Sequence, residues 1–210
     1  MWALIVHAGV TFLVVIDPVG TAPIFASLTA GRSPEERGTS ALTGIVVAAA
    51  VLYIFAFIGE AFLTALGVTL AAFRIAGGVL LFLVAIDMVL ARQSGLRSTT
   101  SSEDEEAHHR HDIAVFPLAV PLIAGPGAIA SVMLLTEEAK GSWLGHGIVL
   151  GVLSAILLIT YLCLLAAGRI VNLLGVTGTN VVGRVLGIVL AALATQFIID
   201  GVQATLTGSG

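Results

Sequence analysis

Long apolar runs alternate with short polar interruptions along this chain, and the runs set the architecture. Six stretches, near residues 4–28, 40–58, 74–91, 113–135, 146–167 and 184–203, are apolar over lengths that suit helices crossing about 30 Å of hydrocarbon at 1.5 Å per residue. Gly31-Arg32-Ser33-Pro34-Glu35-Glu36-Arg37 reads as a polar turn. The tract from Arg92 to Asp112, rich in Ser, Thr, Glu and His, reads as a disordered linker. The pattern predicts an all-α integral membrane protein of six transmembrane helices in two halves of three, residues 1–91 and 113–210, joined by a hydrophilic cytoplasmic linker over 92–112. Residues Glu60 to Leu66 fit either a helix on the membrane surface or a continuation of the second span.

Composition sharpens this picture. The chain is 58% hydrophobic and 10% charged, with mean hydropathy +1.08. A soluble domain carries about 25% charged residues, so the solvent of this fold is lipid. The acidic run Glu103-Asp104-Glu105-Glu106 reads as a solvated loop. His108, His109 and His111 beside it could ligate a transition metal, but the solvated-loop reading is preferred and no metal site is assigned. Cys163 is the single cysteine and cannot form an intrachain disulfide. The N-terminus has no basic n-region, so the first apolar segment is expected to be retained. No nucleotide-binding loop, metalloprotease motif or nucleophile motif is present, and no basic patch suits nucleic acid. Neither catalysis nor a cofactor is expected. Deleting residues 98–109 should leave membrane insertion and any transport intact, because that composition cannot bury enough apolar area to fold alone. Membrane-fraction blots and flux measurements on the deletion check this.

Charge also gives an orientation. Seven of the nine basic residues, Arg32, Arg37, Arg92, Arg97, Arg110, Arg169 and Arg184, fall in loops on one side of a six-span fold, against Arg74 and Lys140 on the other. The positive-inside rule puts the first side in the cytoplasm and both termini outside.

Two apolar runs are broken in the same way. Asp17-Pro18-Val19-Gly20-Thr21-Ala22-Pro23 interrupts the first, and Pro117 to Ala128, Pro-Leu-Ala-Val-Pro-Leu-Ile-Ala-Gly-Pro-Gly-Ala, interrupts the fourth. Pro18 and Pro126 lie 108 residues apart. Leu66-Gly67-Val68-Thr69 recurs at the same offset as Leu174-Gly175-Val176-Thr177. Three spans per repeat is an odd number, so the second half is expected to run upside down relative to the first. Gly147 with Gly151, and Gly183 with Gly187, have the spacing of close helix packing.

Proline removes a backbone donor and suits the first position of a helix, and Asp suits the cap before it. Asp17-Pro18 and Gly125-Pro126 therefore read as the starts of two half-helices whose positive ends point to the middle of the membrane. Asp17 brings a carboxylate to one end, and Gly125 and Gly127 leave the other bare. A zwitterion suits this pair, with its ammonium near Asp17 and its carboxylate at the Gly125–Gly127 amides. The competing reading is that Asp17 only caps its helix and the prolines are packing kinks.

These residues carry a resemblance. Asp17-Pro18-Val19-Gly20-Thr21-Ala22-Pro23 and Pro121-Leu122-Ile123-Ala124-Gly125-Pro126-Gly127 resemble the two signature motifs of the MarC family of bacterial inner-membrane proteins, over nearly the whole chain. That family is grouped with LysE-type exporters, and some archaeal relatives are described as transporters of small neutral amino acids. The resemblance implies transport in the bacterial inner membrane.

The expected function is secondary transport of small polar metabolites, amino acids first among them. The alternative is a non-transporting membrane scaffold or regulatory protein. Candidate substrate-binding residues are Asp17, Pro18, Gly20, Thr21 and Pro23 from the first break, and Pro121, Gly125, Pro126, Gly127 and Ser131 from the second. Asp87 and Asp200, near opposite span ends, are candidates for coupling to a proton or sodium. Expected partners are the small-molecule substrate, that coupling ion and the lipid bilayer, with no nucleic acid and with a homo-oligomer left open. A polar cavity where residues 17–23 and 121–128 converge would favour transport over scaffold.

Overall fold

The computed structural model describes residues 1–91, 114–139 and 141–207. The linker call over 92–112, its histidines and Lys140 lie outside these residues. Among the described residues every regular element is helical: α1 (Trp2–Ile16), α2 (Pro18–Leu28), α3 (Pro34–Ala65), α4 (Leu70–Leu90), α5 (Ala114–Ile123), α6 (Pro126–Glu138), α7 (Trp143–Leu165) and α8 (Ala167–Leu206). Five helical stretches are long and apolar enough to cross a membrane, and the bent pair α5–α6 makes a sixth.

Local chemistry explains the helix ends. Ser33 caps α3 by accepting from the Glu36 amide at 3.3 Å, and Glu36 accepts from the Ser33 amide at 2.7 Å, with Pro34 at the first helical position. This closes the polar turn that the sequence places there. At its other end α3 runs on to Ala65, so Glu60 continues the second span and does not start a separate surface helix. At 1.5 Å per residue α3 is about 48 Å long, more than the hydrocarbon needs, so its ends reach water.

Gly67 ends the turn after α3 at φ +70, and Gly175 stands at φ +61 inside α8. The sequence repeat thus coincides with two left-handed glycines at matching positions, a conformation that costs glycine nothing sterically. Gly175 also divides α8, leaving Thr177–Leu206 as the crossing part. The predicted span 184–203 was too short because nothing in residues 177–183 breaks a helix.

The halves pack across each other. The most extensive contact joins α4 to α8; α1 and α2 pack on α7 and α8, while α5 and α6 pack on α3 and, for α6, on α4. Tyr53 of α3 reaches α7, where its hydroxyl meets Ser154 and the Leu150 carbonyl. The centre of the core is Phe12, Ile16, Phe25, Leu52, Leu81, Leu118, Ile123, Leu134 and Leu135, all at most 2% exposed. Large apolar side chains such as Phe57, Leu158 and Ile188 are exposed, as a lipid-facing surface requires.

The glycine spacings resolve unequally. Gly187 lies where an added Cβ would stand 2.8 Å from Met88 and 3.1 Å from the Ala85 carbonyl oxygen. Gly147, Gly151 and Gly183 meet nothing within 4 Å, so the close packing expected of them is corrected. Gly78 of α4 is the close-packed glycine farther along the same seam: its Cβ would stand 2.8 Å from the Ala194 carbonyl oxygen.

Candidate functional site

The first break is built around Asp17. Proline at 18 disfavours a helical conformation for the residue before it, and Asp17 takes the left-handed region at φ 50, ψ 69. Its amide still donates to the Leu13 carbonyl at 3.0 Å, closing α1. Its carbonyl accepts from the Thr21 amide at 2.9 Å and its Oδ1 from the Gly20 amide at 3.0 Å, opening α2. Thr21 Oγ1 donates to the Asp17 and Ile16 carbonyls at 2.9 and 3.2 Å. Asp17 is therefore the cap on both sides of the break, as the sequence predicts for α2. It is 2% exposed, and Pro18 and Thr21 are also buried.

The second break is sharper. Phe116 and Val120, each before a proline, have extended backbones inside α5, and α6 leaves α5 at 55°. Gly125 caps α6 with φ −75, ψ 170 and no side-chain hydrogen bond, with Pro126 at the first helical position. A Cβ on Gly125 would lie 2.5 Å from the Pro121 carbonyl oxygen, and one on Gly127 2.6 Å from Leu81 and 3.5 Å from Val15. These glycines are required by close approach of backbone and core.

Gly127 lies beside Val15, and Glu138 lies 3.5 Å from His7, so α1 and α6 run antiparallel. Thr11 and Ser131 fall at the same level between those contacts. Both are 0% exposed, and neither hydroxyl has a hydrogen-bond partner among the described residues. An unsatisfied buried hydroxyl costs about 1–3 kcal/mol, so this level of the crossing carries polar capacity that the fold itself does not use. Ser131 was singled out in the sequence. Thr11 was missed, because a threonine in an apolar helix usually bonds its own backbone.

The open space lies elsewhere. Two adjoining cavities, of about 120 and 440 Å³, share Glu60, Leu63, Leu70 and Glu137. Phe55, Phe57, Thr136 and His146 complete the smaller, and Arg74, Thr64 and Thr69 the larger. They sit at the end of the bundle that holds the start of α1 and the end of α8, beside Ala204. Neither is lined by residues 17–23 or 121–128, so the polar cavity expected at the convergence of the breaks is not what these cavities are; Leu81 and Val15 fill the space at Gly127. Glu60 and Glu137 escaped the sequence reading because each sits at the end of an apolar run, where a carboxylate ordinarily only meets water. Arg74 lines the larger cavity.

Asp87 and Asp200 lie towards opposite ends of the antiparallel α4–α8 seam, and neither lines these cavities. Asp200 Oδ1 accepts from Gln196 at 2.7 Å. No group of three or more metal-ligating side chains occurs among the described residues.

A family model described as MarC family integral membrane protein matches residues 2–206. The chain is 37% identical to a UPF0056 membrane protein of Methanocaldococcus jannaschii, covering 91% of this chain and 92% of that one. It is 33% identical to the UPF0056 membrane protein YvbG of Bacillus subtilis, covering 97% and 96%. It is 32% identical to the UPF0056 inner membrane protein YhgN of Escherichia coli, covering 97% and 98%. No solved structure matches it. A multi-pass, all-helical chain matched from end to end by this model and these relatives is an integral membrane protein of the MarC family.

Proposed function

We propose that the chain is a secondary transporter of small polar metabolites, amino acids first among them, with its site between the helix starts at Asp17-Pro18 and Gly125-Pro126. The observation that carries this reading is the pair of breaks 108 residues apart, one with a buried carboxylate at its cap and the other with a bare Gly-Pro-Gly start. A carboxylate at membrane depth costs about 3 kcal/mol on insertion scales, and a serine or asparagine would cap without it. The unpaired hydroxyls of Thr11 and Ser131 add polar groups one to two helical turns from the breaks.

We also propose that the halves form an inverted repeat. Exchanging them maps the packing onto itself: α1–α2 on α7 answers α5–α6 on α3, and α1–α2 on α8 answers α6 on α4. The corresponding helices α4 and α8 run antiparallel. Such repeats work by rocking one element against the other about a central site. Tight packing at Gly127, with the two cavities towards the terminal end, suits a state open to that side. Asp87 and Asp200 remain the proposed coupling groups for a proton or sodium.

The scaffold reading has one observation in its favour, the same tight packing of Leu81 and Val15 on Gly127. Proteoliposome uptake and efflux across an amino-acid panel separates the two: saturable flux of any member supports transport, and none across the panel in either direction supports the scaffold.

The proposed placement is the cytoplasmic membrane with both termini outside, on the seven-to-two distribution of basic residues. Reporter fusions at Gly210 and within residues 98–106 are expected to report opposite sides, the latter cytoplasmic. A cytoplasmic Gly210 overturns this orientation.

A further inference from the structure

We propose that the seam between α1 and α6 is a gate, closed in this structure, that parts to admit water from the terminal end and uses Thr11 and Ser131 as its polar lining. Each helix brings one stripe of residues to the seam. Residues 7, 11 and 15 recur every four positions on α1, and residues 127, 131 and 138 fall four and seven apart on α6, so each set shares a face. Val15 meets Gly127 at one end of these stripes and His7 meets Glu138 at the other, which sets Thr11 against Ser131 between them. The two hydroxyls depart from the pattern of the other buried threonines. Thr21, Thr29, Thr136 and Thr160 each donate to the carbonyl four residues back, at 2.9, 2.7, 2.8 and 2.8 Å. Thr11 and Ser131 make no such bond. Two hydroxyls left unmade at one level, on facing helices, form a polar surface that serves only what enters between them.

Entry requires the helices to move. Both residues are 0% exposed, so no water-sized sphere reaches them while the seam is shut, and each unmade hydrogen bond is a cost that opening relieves. The obstacles to opening are side-chain tips. Gly127 is crowded by the ends of Leu81 and Val15, which can turn aside. At Gly78 and Gly187 of the α4–α8 seam a side chain would instead meet the backbone carbonyls of Ala194 and Ala85. That seam holds while the α1–α6 seam parts. At the mouth, His7 Nδ1 and Glu138 Oε2 stand 3.5 Å apart with their side chains 38% and 30% exposed. The His7 ring also lies against Phe197 of α8, with ring centroids 6.4 Å apart. A pair so placed is a clasp of modest strength. It holds the ends of α1 and α6 together and is hydrated as soon as they separate. Past Thr11 and Ser131 the stripes lead to Val15 and Gly127, so wetting of the hydroxyls precedes wetting of the breaks. The gate's service in a transport path rests on the transport reading; the parting of the seam does not.

The test is cysteine accessibility in the full chain, in lipid nanodiscs, on a Cys163→Ser background. Thr11→Cys and Ser131→Cys exchange one small side chain for another at the seam. Ala48→Cys, equally buried on α3, reports opening of the bundle as a whole. A membrane-impermeant methanethiosulfonate should label both seam cysteines and leave Ala48→Cys unlabelled. Glu138→Gln should speed labelling of Ser131→Cys by up to about fivefold, the most that an exposed ion pair holds. Thr11→Val keeps the shape of the side chain and removes the unmade bond, so it should raise the melting temperature and slow labelling of Ser131→Cys. Monodispersity shows that each variant is folded. The proposal is overturned if neither seam cysteine is labelled, or if Ala48→Cys is labelled as fast. A lower melting temperature for Thr11→Val also overturns it, because the hydroxyl would then be partnered in the closed state. An unchanged rate in Glu138→Gln overturns the clasp. Flux in proteoliposomes without labelling of either cysteine overturns the gate and leaves transport standing. Labelling with no flux across the amino-acid panel keeps the parting seam and removes transport.

Discussion

Asp17→Asn is expected to reach the membrane folded and to lose transport. Two features of the site make this substitution clean. Asn keeps an oxygen for the Gly20 amide and caps about as well as Asp. Asn is also, with Asp, among the few residues that tolerate the left-handed backbone found at position 17. Only the charge is removed. If that charge holds a substrate ammonium or carries a coupling proton, flux should fall about tenfold or more, the cost of one charge-assisted contact. Asp17→Ala is the contrasting case. It loses the cap, worth about 1 kcal/mol, and places alanine in a conformation costing about 1–2 kcal/mol. It should therefore melt earlier, confounding any flux it loses. Pro18→Ala should be milder, because the first helical position has no need of proline. Wild-type flux from Asp17→Asn, with an unchanged melting temperature, would reduce Asp17 to a structural cap. A carboxylate at the other break cannot serve as the mirror experiment. Any side chain at Gly125 meets the Pro121 carbonyl oxygen at 2.5 Å, so Gly125→Asp would move the backbone before its charge could repel anything.

The features that were legible in the sequence are those governed by covalent chemistry. Proline at 18 and at 126, with Asp or Gly before each, dictated where helices start, and α2 and α6 start there. Ser33-Pro34-Glu35-Glu36 dictated the start of α3. The matched Leu-Gly-Val-Thr runs pointed to a repeat, and the glycine of each has a positive φ. What was not legible depends on which groups meet across space. Nothing local distinguishes Gly187, which touches Met88, from Gly151, which touches nothing. Glu60 and Glu137 are 77 positions apart in the chain and share a cavity only because α3 and α6 end at the same level of the bundle. The cavity itself was expected at the breaks, where polar residues cluster in sequence. The two cavities described lie at the terminal end, and at the second break Leu81 and Val15 close in on Gly127.

Gly78→Val and Gly187→Val should each destabilise the protein more than any other single change proposed for it, and by similar amounts. Lipid tails are as apolar as leucine, so spans associate through close van der Waals packing at small residues, without the hydrophobic drive of a soluble core. The α4–α8 seam depends on that packing. A Cβ on Gly78 would lie 2.6 Å from Ile198 and 2.8 Å from the Ala194 carbonyl oxygen, and one on Gly187 would lie 2.8 Å from Met88 and 3.1 Å from the Ala85 carbonyl oxygen. Part of each obstacle is backbone, which cannot turn aside as a side-chain tip can. The two helices must separate, at a cost of about 3 kcal/mol or more, the upper end for overpacking a well-filled interface. The contacts are reciprocal: Gly187 follows Gly78 by 109 residues, and Ala194 follows Ala85 by the same 109. Comparable losses at both positions are what the proposed inverted repeat predicts. Gly151→Ala is the control. It meets nothing within 4 Å, and replacing a mid-helix glycine with alanine gains about 0.5–1 kcal/mol. Melting in detergent, followed by fluorescence-detected size exclusion, reads all three. A wild-type melting temperature for either valine variant contradicts the seam, and a large loss at one position with none at the other contradicts the proposed symmetry between the halves.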